Sequence, residues 1–356
     1  MSSVLAPPAR PPTTSRLQRR SLPRWATPAI AVGAVTLSLL FAFVRGSKGL
    51  IPVTVLAYVF FLAGVVVSSA VVESGRRARD RLATVLVIGA FGTALAPLLA
   101  VLGVVISRGA ARFDLEFFTH SLRGVGPTEA GGGAYHAIVA TLEQVALASA
   151  FAVPVGILVA IYLVEYGRGA FAKTTSYVVD VMTGLPSVVA GLFILAFFIL
   201  YLQHGRGFSG FAGAMALGIL MLPIVVRSTE EMLKLVPDGL REASYALGVP
   251  RWRTIVSIVI PTALPGIVTG VMLGVARIFG ETAPILLVTF GTDSINLDPF
   301  HGPQSSLPLF VFQQASQPNP TAIDRAWTGA LTLILIVMIL NLTARLVARR
   351  AGAHGR

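Results

Sequence analysis

The stretch Pro237–Pro261, PDGLREASYALGVPRWRTIVSIVIP, lies between two long apolar runs and has a readable pattern of its own. Pro237 marks a helix start, because a first-turn proline loses no helical hydrogen bond, and Asp238 suits the positive end of the helix dipole. Leu240, Ala243, Ser244 and Leu247 fall at i, i+3, i+4 and i+7 and form one small, mostly apolar face. Gly248 supplies a left-handed stop, and Pro250 opens a second helix from Arg251 toward Ile260. The spacing predicts a short surface helix, a tight turn, and a second helix that leads into a membrane span. A surface helix this short is marginal alone, so its face calls for something to dock on. On these residues alone, an ordinary interfacial loop is the favoured reading.

The rest of the chain sets the context. Of its 356 residues 54% are hydrophobic and 12% charged, the latter about half the share of a soluble domain. This is the composition of a polytopic membrane protein. The absence of cysteine excludes disulfides, thiolate metal sites and cysteine nucleophiles. The net charge of +12 is no signature of nucleic-acid binding, because the arginines gather at the ends of apolar spans. The first apolar run follows a polar tail and lacks an A-x-A-like site, so it reads as an anchor, not a cleavable signal.

A spanning helix needs about 20 apolar residues. Candidates fall at 25–44, 51–72, 82–107, 136–164, 176–201, 208–228, 262–290 and 326–347, which gives an all-α protein of eight spans. Residues 1–24 read as a disordered basic cytoplasmic tail, 25–81 as a two-span hairpin, and 351–356 as a second tail. Cations cluster before the first span, at Arg76, Arg77, Arg79 and Arg81, at Arg168 and Lys173, from Arg227 to Arg253, and at Arg345, Arg349 and Arg350. With eight spans these share one side, which places both termini and the stretch 237–261 in the cytoplasm. Arg45, Lys48, Arg108, Arg112, Arg123, Arg206 and Arg325 are the exceptions. Trp25 and Trp327 sit at span ends, as interfacial anchors do. The loop 291–325 on the other side is long enough to serve an outside partner or merely to connect.

Few motifs carry chemistry. Residues 167–174, GRGAFAKT, fall one residue short of a Walker A loop because Ala172 replaces its second glycine, and they follow a membrane span instead of a β-strand. His120, His136, His204, His301 and His354 show no metal-ligand spacing, and no nucleophile motif occurs, so no catalytic or metal residue is expected. What remains is polar residues inside apolar helices. Arg277 lies near the middle of the span 262–290, four residues before Glu281, where the two form an ion pair; Gly280 and Pro284 bend or break the helix beside it. The pair serves either an anion path or helix packing. Arg227 stands i+3 to Glu230 and i+4 to Glu231 near a span end, where snorkelling competes with a functional role. Pro186 breaks the span 176–201 next to Ser187, either as a kink or to aim peptide N–H groups at an anion. Asp180 and Glu143 read as structural or interfacial.

Glu242-Ala243-Ser244, three residues, Gly248, nine residues, then Ile258-Val259-Ile260-Pro261 resembles the EAA loop of ABC importer permeases, with Ser244 and Ile260 as mild departures. Residues 184–189, GLPSVV, resemble the G-x-P-S-[IV]-V segment of phosphate permeases, and Arg227 to Glu231 resembles their R-[ST]-T-E segment. Residues 276–284, ARIFGETAP, resemble the signature of the PstA type. The match runs from about residue 131 to 350 and includes the third span more weakly. The resemblance implies a six-span permease core over 82–350, preceded by the extra hairpin. It implies import of inorganic phosphate, with a substrate path around Arg227, Glu230, Arg277, Glu281, Thr282, Pro186 and Ser187. It implies docking of an ATP-binding subunit through Glu242, Ala243, Ser244, Leu247, Gly248 and Pro261. The implied partners are a PstC-type permease, two ATP-binding subunits that carry the ATP and magnesium, and an extracytoplasmic phosphate-binding protein. This chain is then a transporter subunit and not itself an enzyme, and it holds no cofactor of its own. The alternatives are a permease for molybdate, sulfate or phosphonate, and a secondary transporter that needs no ATPase.

Overall fold

The structure is a computed structural model that describes residues 21–46 and 49–353, with side chains through Leu346. The expected tail up to residue 20, Lys48, His354 and the side chains of Arg349 and Arg350 lie outside the described residues. The chain divides into two compact units, the first ending at Val101 and the second beginning at Leu102.

In the first unit, α1 (Ala26–Arg45) and α2 (Leu50–Val72) pack as a hairpin. α1 stops at Gly46, whose φ of 65° lies in the left-handed region and whose N–H reaches the carbonyls of Ala42 and Phe43. A side chain at Gly64 would meet Ile30 at 2.6 Å, so a missing side chain sets how closely the pair packs. Glu73, just past α2, is nearly solvent-free. It accepts from the Leu22 N–H (2.9 Å), Ser69 Oγ (2.7 Å) and Arg81 Nε and Nη2 (3.0 Å each). The Leu22 N–H, then Ser69 and Arg81, hold its carboxyl down to about 2. This carboxylate ties the segment before α1 to the turn between α2 and α3 (Gly75–Gly109).

The second unit is built around α8 (Gly210–Lys234). Buried residues make up 67% of its most apolar stretch, against 22% for α5 (Tyr135–Tyr166) and 28% for α10 (Arg251–Phe279). A short α4 (Leu115–Thr119) precedes α5, capped by the Asp114 carboxylate on the Phe117 N–H. Small residues let α8 sit centrally. Ala148 and Ala152 of α5 and Ala214 of α8 are fully buried, and a side chain at Gly156 would meet Val225 at 2.7 Å. α13 (Pro320–Ala353) packs along α10, and α12 (Leu307–Ala315) against α13.

Among the described residues, seven helices are long and apolar enough to cross a membrane, and a bent pair makes up an eighth candidate. That pair corrects the expected continuous span 176–201 and bears out the break expected at Pro186. It is two helices, α6 (Ala170–Thr183) and α7 (Ser187–Leu202), bent by 109°. Pro186 donates no N–H, so the chain ahead of it leaves the helical region and a new helix begins at Ser187. The expected span 262–290 is corrected too. The second helix of the opening stretch and the span are one helix, α10, which ends at Phe279. A break at Gly280 to Thr282 leads into α11 (Ala283–Val288), with Pro284 in its first turn.

The opening stretch folds as its pattern predicts. α9 (Asp238–Ala246) starts after Pro237 and ends in a paired cap. The Gly248 N–H bonds the Tyr245 carbonyl at 2.9 Å and the Val249 N–H bonds that of Ser244 at 3.2 Å, while Gly248 sits at φ 76°. No atom lies within 4 Å of a Cβ placed there, so any cost of substitution is conformational. Gly248→Val is expected to lower stability by about 1–2 kcal/mol, and Gly248→Asn, which tolerates this region, to stay near the parent. Thermal unfolding of the purified protein checks both.

Candidate functional site

Two polar clusters and one exposed helix account for the residues singled out by the sequence. Arg227, on α8, is half-buried. Its Nη2 bonds Asp180 Oδ1 at 2.5 Å and both the carbonyl and the hydroxyl of Ser176 at 2.9 Å, and its Nη1 bonds Glu230. Lys234 completes the set with Glu230 at 2.9 Å and Glu231 at 3.1 Å. The expected i, i+4 partnership of Arg227 with Glu231 is replaced by a bond across to α6. Asp180 and Arg227 thus join two helices, and snorkelling to solvent is not the arrangement adopted. The cluster has three carboxylates for two cations, so Arg227 is already neutralised.

Arg277 is in a different situation. It does not lie at mid-span, because α10 ends two residues later, and its side chain is 61% exposed. Glu281, 16% exposed, lies past the helix end and meets it at 3.6 Å. The two line an open cleft of about 730 Å³ with Ile224, Leu273, Ala276 and Gly280. The deep, buried pair expected from sequence is instead a loose pair on a cleft wall. Thr282 precedes α11 as its N-cap residue without a side-chain bond. Pro186 and Ser187 open α7, and α7 packs closely on α11, since a side chain at Gly191 would lie 2.8 Å from Pro284 Cα. The two segments that read as separate motifs are therefore packed as one joint.

α9 presents most of its expected face outward. Leu240, Glu242, Ala243 and Leu247 are exposed, Leu247 at 84%. Ser244 departs from the expected face: it is buried and shares a 2.7 Å hydrogen bond with Thr254 Oγ1. Pro261 lies inside α10, after a π-helical turn over Ile255–Val259, and away from the exposed turn. A proline there leaves the carbonyl one turn back without its α-helical donor, which is consistent with a widened turn.

Glu165 belongs to no motif in the sequence. Its carboxylate, 3% exposed at the end of α5, accepts from Arg241 Nε (3.1 Å) and Nη2 (2.9 Å). The signal available was a lone acid at the end of an apolar span facing a cation-rich loop. Gln304 is likewise outside any motif, and its Nε2 donates to Glu143 Oε2 at 2.8 Å from a loop 161 residues away.

The comparisons bear on this arrangement. The family profile described as binding-protein-dependent transport system inner membrane component matches residues 152–352. The chain belongs to this family. Within it, the chain is 50% identical over 273 residues to "Phosphate transport system permease protein PstA 1" of Mycobacterium tuberculosis H37Rv, covering 76% of this chain and 88% of that one. It is 38% identical over 276 residues to the PstA of Yersinia pestis, covering 77% and 92%. A chain of a bacterial alginate ABC transporter, solved with an alginate-pentasaccharide-bound periplasmic protein, superposes with a TM-score of 0.58 at 13% identity, covering 77% and 96%. That likeness shows a shared permease fold. The resemblance drawn from residues 184–284 is thus borne out at the level of family. The family and the apolar helices place the chain in the inner membrane.

The burial of each pair sets its expected energetic weight. Asp180 is 64% exposed, so Asp180→Ala is expected to cost under about 1 kcal/mol of stability. Glu230 is 10% exposed and satisfies both Arg227 and Lys234, so Glu230→Ala is expected to cost roughly 1.5–3 kcal/mol. Thermal unfolding of the two variants side by side checks the order.

Proposed function

We propose that this chain is the membrane permease subunit of an ATP-driven importer of inorganic phosphate. Similarity to nearly the whole length of PstA proteins, at 50% identity for one of them, carries the reading. The geometry supports it in two places. Arg277 and Glu281 line a cleft where a cation stays accessible to an anion, and the nearby carboxylate keeps the site from trapping it. At α9, an exposed face of Leu240, Ala243 and Leu247 offers a docking surface to an ATP-binding subunit.

In this reading the cation-rich loops, including 237–261, face the cytoplasm with both termini, and the bent α6–α7 pair counts as one of eight spans. A PstC-type permease completes the path, two ATP-binding subunits carry ATP and magnesium, and a phosphate-binding protein delivers the anion on the opposite side. Binding of ATP moves the docked α9, the helices around the cleft rearrange, and access alternates. Pro186, Ser187 and Thr282 belong to the α7–α11 joint that such a movement flexes. Arg227 and Glu230 stand in the path as an already paired set, so an anion reaching Arg227 competes with Asp180.

The reading predicts that Arg277→Gln reduces phosphate uptake by cells at least about tenfold, on the scale of a lost charge-assisted contact, while the complex still assembles. Normal uptake in that variant removes the pair from the path. Purification of the parent chain with identification of its co-purifying subunits separates this reading from a secondary transporter.

A further inference from the structure

The end of α5 is gripped from both sides of the Gly248 turn. From α9, Arg241 places Nε and Nη2 on the Glu165 carboxylate. Its remaining donors reach the carbonyls of Leu233 (3.0 Å) and Val236 (2.6 Å) and Asp238 Oδ1 (3.2 Å). From the far side of the turn, Arg251 donates to the Glu165 carbonyl and lies over the Tyr166 ring, 5.0 Å from its centre. The Glu165–Arg241 pair is 3% and 12% exposed. A pair this enclosed does not exchange freely with water, and breaking it leaves an uncompensated charge.

The same helix holds a loop at its other end. Thr141 Oγ1 accepts from the Leu307 N–H at 2.7 Å, and Gln144 Nε2 donates to the Ser305 carbonyl at 2.9 Å. Glu143 accepts from Gln304 at 2.8 Å. Gln304, Ser305, Ser306 and Leu307 are all buried. At a helical rise of about 1.5 Å per residue, Glu143 and Glu165 lie about 33 Å apart along α5. One helix therefore carries a buried ionic grip on α9 at one end and a buried polar grip on residues 304–307 at the other.

We propose that the Glu165–Arg241 pair is the joint through which movement of α9 is carried along α5 to the loop residues 304–307. Glu165 and Arg241 are then positioning residues, which act on the substrate path only through α5. Chain continuity links α9 to α8 and α10, which pack along α5; the bonds of Arg241 and Arg251 add a direct polar link from this turn to the end of α5. The inference rests on α9 as the docking element for an ATP-binding subunit.

The test uses the complete complex in lipid vesicles. The variants are Glu165→Ala, Arg241→Ala, the two combined, and the milder Glu165→Gln and Arg241→Lys. Because the chain has no cysteine, S305C gives a single thiol on it whose alkylation reports the loop. In the parent, ATP should change that alkylation rate. In each alanine variant the ATP-binding subunit should co-purify as in the parent, while uptake and the ATP-induced change both fall roughly tenfold, within the span of coupling between sites. The combined variant should be no worse than either single one, because both remove one interaction. If an alanine variant does not fold, the Gln and Lys variants carry the test, with smaller losses expected in both readouts. Uptake within about twofold of the parent together with a retained ATP response, additive losses, or a parent thiol that does not respond to ATP would each overturn the joint. Loss of the ATP-binding subunit from the variants alone would make the pair part of the docking surface and overturn it as well. A parent chain that recruits no ATP-binding subunit would instead refute the functional reading itself.

Discussion

Away from water, a charged or hydrogen-bonding group must find its partner in the protein, because apolar surroundings offer none. This one constraint orders the second unit. Its least exposed charge shows the consequence. The side chain of Arg325 is buried at the start of α13, and it is satisfied mainly by main-chain oxygens: Pro127, Glu129 and Gly131 carbonyls at 3.0 to 3.3 Å, with Gln314 Oε1 at 3.1 Å. An arginine that breaks the positive-inside pattern is thereby the anchor of the loop ahead of α5. Its five donors suit several carbonyls at once, which a lysine could not match. The Glu165 and Arg227 clusters obey the same constraint; in the Gln144–Gln304 set the Gln144 Nε2 obeys it, while its buried Oε1 has no partner.

The constraint also explains where helices break. Pro186 and Pro284 each open a helix after an interruption, and the two resulting helices, α7 and α11, meet where Gly191 has no side chain. A break leaves peptide groups unpaired, and those in apolar surroundings need neighbouring structure to cover them. The close packing of α7 on α11 joins the two helices just past their breaks. Either proline alone would read as an ordinary kink. Their proximity makes a joint.

Periodicity and punctuation made the opening stretch legible down to its cap: Pro237, the i, i+3, i+4 pattern and Gly248 act locally, so local sequence suffices. Within the expected apolar face Ser244 turns inward because its partner Thr254 lies across the turn, and a serine within an apolar face gives no sign of which neighbour it will bond. Span bounds were legible for α1 and α2, where hydropathy changes sharply. Hydropathy alone draws 176–201 and 262–290 as single spans; their breaks were legible in Pro186 and in Gly280 and Pro284, and the sharpness of each break was not. Arg277 looked deep because its span was drawn through Gly280, and once the helix ends at Phe279 the same residue lies on a cleft wall. Cross-helix partners were the least legible. Asp180 finds Arg227 over 47 positions and Glu165 finds Arg241 over 76, separations that no local pattern encodes.

In the proposed reading, the two kinds of ion pair divide the work by burial. Opposite charges near 4 Å attract by about 1 kcal/mol in water and roughly 4 kcal/mol at a protein surface of intermediate polarity. Arg241 and Glu165 are enclosed and bonded through several donors, so their attraction is little screened and the geometry is fixed. Arg277 and Glu281 are 3.6 Å apart with the arginine mostly exposed, so water screens the pair and little energy is lost when it opens. A rigid pair suits a joint that must pass movement on without slack. A loose pair suits a cleft wall that an anion must enter and leave. The same two residue types serve opposite ends because the surrounding helices either cover them, as the end of α5 is covered at Glu165, or stop short of them, as α10 does at Phe279.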